Sequence, residues 1–205
     1  MLPTFAASLS ALLIGLAVIF TATDQGHAFT TEALRRGEVA RQPQPIPDFA
    51  LQDGAGASSA LRQLLADDQK VWIVDFVYTR CQTICTSLGS VYQQLQQQIQ
   101  QRGLQGKVGL LSVSFDPVND DAQALRDYAA RMRLDPQVWR IVTLAKVQDR
   151  RRLLDAFGIM VVPAPLGEFE HNAALHVVTH DGRLVSIIDY QAQALALDTA
   201  LAWSR

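Results

Sequence analysis

Two cysteines occur in this 205-residue chain, Cys81 and Cys85, four positions apart in VWIVDFVYTRCQTICTSL. Thiols at that spacing meet on one side of a segment that begins to coil. They can then act together, as a redox pair or as two soft metal ligands. Two buried, inert cysteines and a short structural disulfide are the plainer alternatives. Position argues against both. Cys81 follows an apolar run, residues 71–78, by three residues, and Cys85 falls where the next helix should start. The loop leaving the carboxyl end of a parallel strand is the usual functional position in an open α/β sheet, and a helix N-terminus favours thiolate over thiol.

A metal needs further ligands. Two thiolates and one imidazole make a trigonal site suited to Cu(I). The histidines are His27, His171, His176 and His180. His27 lies in a polar stretch and reads as solvated. His171 ends a linker just before a strand, where it can stand beside the sheet end and approach the cysteines. His176 falls inside that strand on the opposite parity, and His180 adjoins an Asp-Gly turn. Spacing therefore ranks His171 first. Asp116, closing a second strand, is either a group that tunes the thiols or the cap of the helix that follows. Asp75 is a charge within an apolar strand, placed near the cysteines or at a solvated edge. Tyr78, Thr79 and Arg80 line the approach to Cys81, where Arg80 lowers the thiol pKa or meets an acidic partner.

The elements that position these residues follow from pattern. IPDFALQDGAG reads as a short strand and turn, and ASSALRQLLADDQK as a short helix capped by Ser58 or Ser59. Residues 71–78 suit a strand buried on both faces. A helix over about 85–102 carries Val91, Leu95 and Ile99 on one face and glutamines on the other. Strands at 107–117 and 139–144, helices over DDAQALRDYAARM and about 147–157, a hairpin around Asp181-Gly182 and a helix in QALALDTALAW complete the order. Parallel units come first and an antiparallel edge last, giving a three-layer α/β sandwich with a mixed central sheet.

Composition sets bounds. Hydrophobic residues are 49% and charged residues 19% of the chain, which excludes wholesale disorder. The 18 Lys and Arg against 20 Asp and Glu leave no basic excess for nucleic acid. Two cysteines exclude a disulfide-dense scaffold and a four-thiolate zinc site within one chain.

The chain opens on residues 5–22 without a charge, the lower edge of a bilayer span. With no basic residue before it and no clear cleavage site, it reads as an uncleaved anchor; a cleaved signal is the alternative. Residues 1–22 are thus expected to be the membrane segment, 23–44 a tether and 45–205 the working domain, with Pro43, Pro45 and Pro47 stiffening the approach to that domain. Arg35, Arg36 and Arg41 pull the soluble part weakly toward the cytoplasm, whereas the thiol chemistry favours the outer side.

YTRCQTIC, SVSFDP and HNAALHVVTHDG, in that order, resemble the Sco/SenC family. These are membrane-anchored copper chaperones of thioredoxin-like fold that assist assembly of cytochrome c oxidase. The resemblance covers about residues 43–205. It rests on the CxxxC pair and a histidine some 85–90 residues later, before a strand and an Asp-Gly turn. It implies that Cys81, Cys85 and His171 bind a copper ion, Cu(I) or Cu(II), and that Asp116 is the acidic residue near the site. It implies a soluble domain outside the cytoplasm, on the periplasmic side of a bacterial inner membrane. The implied partners are the copper-bearing subunit of cytochrome c oxidase, other copper carriers or thiol reductants, and no nucleic acid. The family usually carries proline after each cysteine; here Gln82 and Thr86 take those places, so the loop loses two rigid φ angles.

Three functions compete. A metallochaperone passes copper to its partner by ligand exchange, and the same thiol pair can reduce a disulfide in the partner before loading. A thiol–disulfide oxidoreductase attacks through Cys81 and resolves through Cys85, with a thiol peroxidase using Thr79 as a weaker variant. A copper or redox sensor binds without transfer.

Overall fold

The structure is a computed structural model. It describes residues 2–23, 25–26, 28–66, 69–80, 84–165 and 168–204, with backbone alone at 2–6 and 84–88. The chain divides into two compact units, Met1–Gln42 and Pro43–Arg205.

The first unit holds two helices, α1 (Leu2–Ala22) and α2 (Thr31–Arg41). Among the described residues, no helix is long and apolar enough to cross a membrane; the side chains of α1 are described from residue 7 onward. Leu12, Leu13, Ile14, Val18 and Ile19 of α1 are well exposed. Helix α2 occupies the polar, weakly patterned stretch that reads as a tether. Its stability is local: the Thr30 hydroxyl accepts from Ala33 N–H at 3.1 Å, and Glu32 receives Arg35 and Arg36, each at 2.9 Å. No apolar stripe is needed for that, so periodicity does not announce it.

In the second unit the strands are β1 (Gln44–Pro45), β2 (Ala50–Asp53), β3 (Ser58–Ala60), β4 (Val71–Val77), β5 (Val108–Ser114), β6 (Trp139–Leu144), β7 (Val161–Pro163), β8 (Phe169–His171), β9 (Ala174–Val178) and β10 (Arg183–Asp189). The helices are α3 (Leu61–Ala66), α4 (Ile84–Gln101), α5 (Ala122–Met132), α6 (Arg150–Phe157) and α7 (Gln193–Trp203). Eight strands form one mixed sheet in the order β1-β10-β9-β4-β5-β6-β2-β3, and β7 pairs with β8 separately. The central strands β4, β5 and β6 are parallel. On one side β9 runs antiparallel to β4, and on the other β2 runs antiparallel to β6. The early strand β2 therefore lies beyond the parallel core instead of opening it. Ser58 and Ser59 pair with Gln52 and Leu51 as strand residues; cross-strand pairing outweighs their capping preference.

Helices cover both faces. On one, Ile73, Val77, Leu110, Trp139 and Val177 pack with Tyr92, Leu95 and Ile99 of α4, Leu125 of α5 and Leu197 of α7. On the other, Phe76 meets Phe157 of α6 at 4.7 Å, and Trp72 Nε1 donates to the Leu65 carbonyl of α3 at 3.2 Å. All seven residues of β4 are buried, as a strand covered on both faces requires. Gly109 lies opposite Trp72 in the parallel register, where a Cβ would come within 2.6 Å of the indole. The Asp-Gly turn joins β9 to β10 as its sequence predicts, with Gly182 at φ +79 and its N–H donating to the Thr179 carbonyl at 2.9 Å.

Candidate functional site

Strands β4 and β5 end side by side at the edge where Tyr78, Thr79 and Arg80 leave toward Cys81. Each of these residues is held. Thr79 N–H and hydroxyl donate to the two carboxylate oxygens of Asp120 at 2.9 and 2.6 Å. The Thr79 carbonyl accepts from Arg131 of α5 at 2.8 Å. Arg80 reaches Asp116 at 3.1 Å, so its guanidinium is engaged within the chain. Cys81, Gln82 and Thr83 lie outside the described residues, as do the side chains of Cys85 and Thr86; the backbone of Cys85 is the second residue of α4.

His171 is the last residue of β8 rather than the end of a linker. The residue is 9% exposed, and its ring packs edge-on to Phe115, centroids 5.2 Å apart, and near Tyr78 at 6.4 Å. Nδ1 stands 3.1 Å from the Asn172 carbonyl. If Nδ1 carries the proton there, Nε2 is the ring atom left as a lone-pair donor. Phe115 follows β5 and Tyr78 follows β4, so His171 reaches the sheet end that carries the cysteine loop. A second sheet does this, β7 paired with β8 through Val161↔His171. The sequence conceals it, because each strand is three residues long and β7 ends in proline.

The other histidines separate from the site. His176 is fully buried, its ring nitrogens 3.3 and 3.2 Å from the Val74 and Phe157 carbonyls; of the core and surface roles its place in the strand leaves open, it takes the core one. His180 is half-buried beside the turn, and His27 lies outside the described residues.

Asp116 is buried and accepts from Asn119 at 2.9 Å as well as from Arg80. It does not cap the following helix: Asp121 does, accepting from Ala124 N–H at 2.9 Å. Asp120, which the sequence does not single out, is fully buried and also accepts from Ser114 at 2.5 Å. Burial raises its pKa and the charge of Asp116 adds to the rise, against hydrogen bonds from Ser114 and Thr79. No spacing rule distinguishes it from Asp121 beside it.

Asp75 is not at a solvated edge. It is 1% exposed, and neither carboxyl oxygen has a hydrogen-bond partner. Burial pushes its carboxyl up to about 7; the Ser112 and Tyr92 hydroxyls temper the rise. The Tyr92 hydroxyl donates to the Ile73 carbonyl at 2.9 Å, and the Ser112 oxygen accepts from Trp139 Nε1 at 2.9 Å.

Among the described residues, no group of three or more His, Cys, Asp or Glu stands together to hold a metal ion. Cys81 and the Cys85 side chain are not among those residues.

A mixed sheet with a thiol-bearing loop at the end of its parallel strands and a histidine delivered to the same end defines a thioredoxin-like α/β protein. The SCO1/SenC family model matches residues 38–203, and the chain belongs to that family. It is 27% identical over 143 residues to the SCO1 protein homolog of Bacillus subtilis (strain 168), covering 68% of this chain and 71% of that protein. The fold is shared with a SCO1/SenC family lipoprotein from Bacillus anthracis str. Ames (TM-score 0.70, 20% identity, 80% of this chain and 99% of that one). It is shared with BsSco, described as having a disulfide switch and as a member of the Sco family of cytochrome c oxidase assembly proteins (0.67, 23%, 80% and 95%). It is shared also with copper-bound yeast Sco1 (0.62, 16%, 78% and 88%).

Proposed function

We propose that this chain is a copper metallochaperone tethered to a membrane, with residues 45–205 outside the cytoplasm. In this reading Cys81, Cys85 and His171 bind the copper, and Asp116 steadies the loop through Arg80. The observation that carries it is the seating of the His171 ring on Phe115 and Tyr78, at the sheet end from which Cys81 departs three residues after Tyr78. Two thiolates and an imidazole are a soft donor set, suited to Cu(I). Copper-bound yeast Sco1 has the same fold, which supports copper as the cargo.

The recipient in this reading is the copper-bearing subunit of cytochrome c oxidase, which takes the ion by ligand exchange. In the reduced state the same thiols prepare that recipient. Cys81 thiolate attacks a partner disulfide and forms a mixed disulfide. Cys85 thiolate then displaces the partner sulfur, leaving the Cys81–Cys85 disulfide and a reduced dithiol in the partner. The oxidised pair holds no copper, so one molecule performs one task at a time. Residues 1–22 serve as the anchor and 23–44 as the tether; the exposed apolar side chains of α1 and the lipoprotein relative support attachment.

Titration of the reduced full-length protein with Cu(I) against a competing chelator tests this. Wild type should bind one equivalent, Cys81→Ser should bind far more weakly, and His171→Ala should lose the nitrogen ligand. Binding by wild type no tighter than by Cys81→Ser overturns the metallochaperone reading. Unchanged coordination in His171→Ala removes the third ligand.

A further inference from the structure

The two halves of the site are joined by a side chain to which the proposed function gives no part. Tyr78 is the residue after β4, three positions before Cys81, and it is buried. Its ring meets Phe169 edge-on at 5.3 Å and Phe115 at 5.6 Å. From this apolar box the hydroxyl makes polar contacts with one short segment. It donates to Glu168 Oε2 at 2.5 Å and accepts from Phe169 N–H at 3.2 Å. A phenol has a single proton. With that proton on Glu168, the Phe169 carbonyl, also 3.2 Å away, is a neighbour and not a second acceptor.

The segment held in this way carries His171. Phe169 and His171 are the first and last residues of β8, whose backbone partner is the three-residue β7. A two-stranded ribbon is marginal in water by itself. Its seat on the main sheet must therefore come from side chains. Phe169 supplies part, packed on Tyr78 and Phe115 and covered by the Arg150 guanidinium at 4.8 Å. Those contacts are apolar or diffuse and tolerate sliding. The Tyr78–Glu168 bond is directional and charge-assisted, the stronger kind, and it fixes β8 along its own length.

We propose that the Tyr78 hydroxyl and Glu168 form a latch that seats the His171 ribbon at the sheet end from which the chain leaves toward Cys81, making Tyr78 a positioning residue for the third copper ligand. The proposal rests on the copper reading above. It links the strand that delivers Cys81 to the ribbon that delivers His171 through one hydroxyl, which donates to Glu168 and accepts from Phe169 N–H.

Tyr78→Phe tests it while keeping every ring contact. Full-length reduced protein is titrated with Cu(I) against a chelator, nitrogen coordination is followed by X-ray absorption, and thiol alkylation is followed against pH. Tyr78→Phe should weaken copper by about 10–100-fold, the usual effect of losing a group that orients a ligand, and should reduce the nitrogen signal. The alkylation profile should stay that of wild type. Glu168→Ala should match Tyr78→Phe, and Glu168→Gln should retain most of the affinity, because its amide oxygen still accepts the phenol proton. The double variant Tyr78→Phe/His171→Ala should bind no more weakly than His171→Ala. Wild-type affinity in Tyr78→Phe overturns the latch, and so does a full further loss in the double variant. If His171→Ala itself binds as wild type, the ligand assignment has failed. The latch is then decided by amide hydrogen exchange at Phe169 and His171, which Tyr78→Phe must accelerate; unchanged exchange overturns it.

Discussion

Thr79 and Asp120 are bound to each other through backbone and side chain at once: Thr79 N–H meets Oδ2 at 2.9 Å and its hydroxyl meets Oδ1 at 2.6 Å. Ser114 shares Oδ2, and Arg131 takes the Thr79 carbonyl. Every polar group of Thr79 is therefore used, two residues before Cys81. This explains how the chain leaves β4 in a fixed direction without a proline after the cysteine. It also leaves the Thr79 hydroxyl no freedom to act on a peroxide.

Asp120→Asn keeps the shape but offers one acceptor oxygen for three donors. At least one buried donor loses its partner, at a cost of about 1–3 kcal/mol. Urea unfolding should show that loss. Alkylation of the reduced cysteines should also change its pH profile, because the segment entering Cys81 is no longer pinned. A stability loss with an unchanged profile would reduce Asp120 to a structural part.

The strands and helices packed on both sides of the sheet are legible because burial demands apolar segments: residues 139–144 and 193–203 read from the sequence with the bounds they have in the fold. What escaped was held by pairing or by polar contacts. The antiparallel place of β2 beside β6 depends on Leu51 meeting Leu144, a partner 93 positions away. Helix α2 rests on a threonine cap and one glutamate. At the site, His171 stood out by position, whereas Asp120 and Glu168 did not. A carboxylate's role depends on which donors the fold brings to it, and those donors come from 6 to 90 positions away.

The buried carboxyl of Asp75 makes stability depend on pH. Its pKa rises from 3.8 to about 7 on folding, so the folded chain holds the proton more tightly than the unfolded chain. Below pH 4 both states are protonated and the group costs nothing. Between about pH 4 and 7 the fold pays an increasing penalty, which is constant above that range and on the order of 4 kcal/mol in total. Asp75→Asn removes the titration. Its gain over wild type should be greatest at pH 8 and fade toward pH 4 in urea midpoints. An equal pH slope in both proteins would place the titration elsewhere.

Gly109 is fixed by the indole across the ladder. An alanine methyl would lie 2.6 Å from Trp72 ring carbons, in a strand buried on both faces. Trp72 is itself tied to the Leu65 carbonyl, so it cannot yield freely. Gly109→Ala should cost about 1–3 kcal/mol, seen as a lower Tm, with thiol alkylation unchanged because Trp72 faces away from α4.

Arg80 precedes Cys81 directly, yet its guanidinium is turned to Asp116, which is buried while Arg80 is 48% exposed. The cation that would favour a thiolate is thus partly neutralised by a carboxylate of the same sheet end. Asp116→Asn removes the negative charge and releases Arg80, and both changes favour the thiolate. Alkylation of the reduced pair at pH 7 should become faster, with the profile moved to lower pH by on the order of one unit or less. Arg80→Ala should move it the other way, because Asp116 then stands near the loop without its counter-ion. Asn119 still donates to Asp116 in that variant, which keeps the Asp116 carboxylate in place. Movement of both variants in the same direction would mean that the pair acts on the thiols through loop geometry and not through charge.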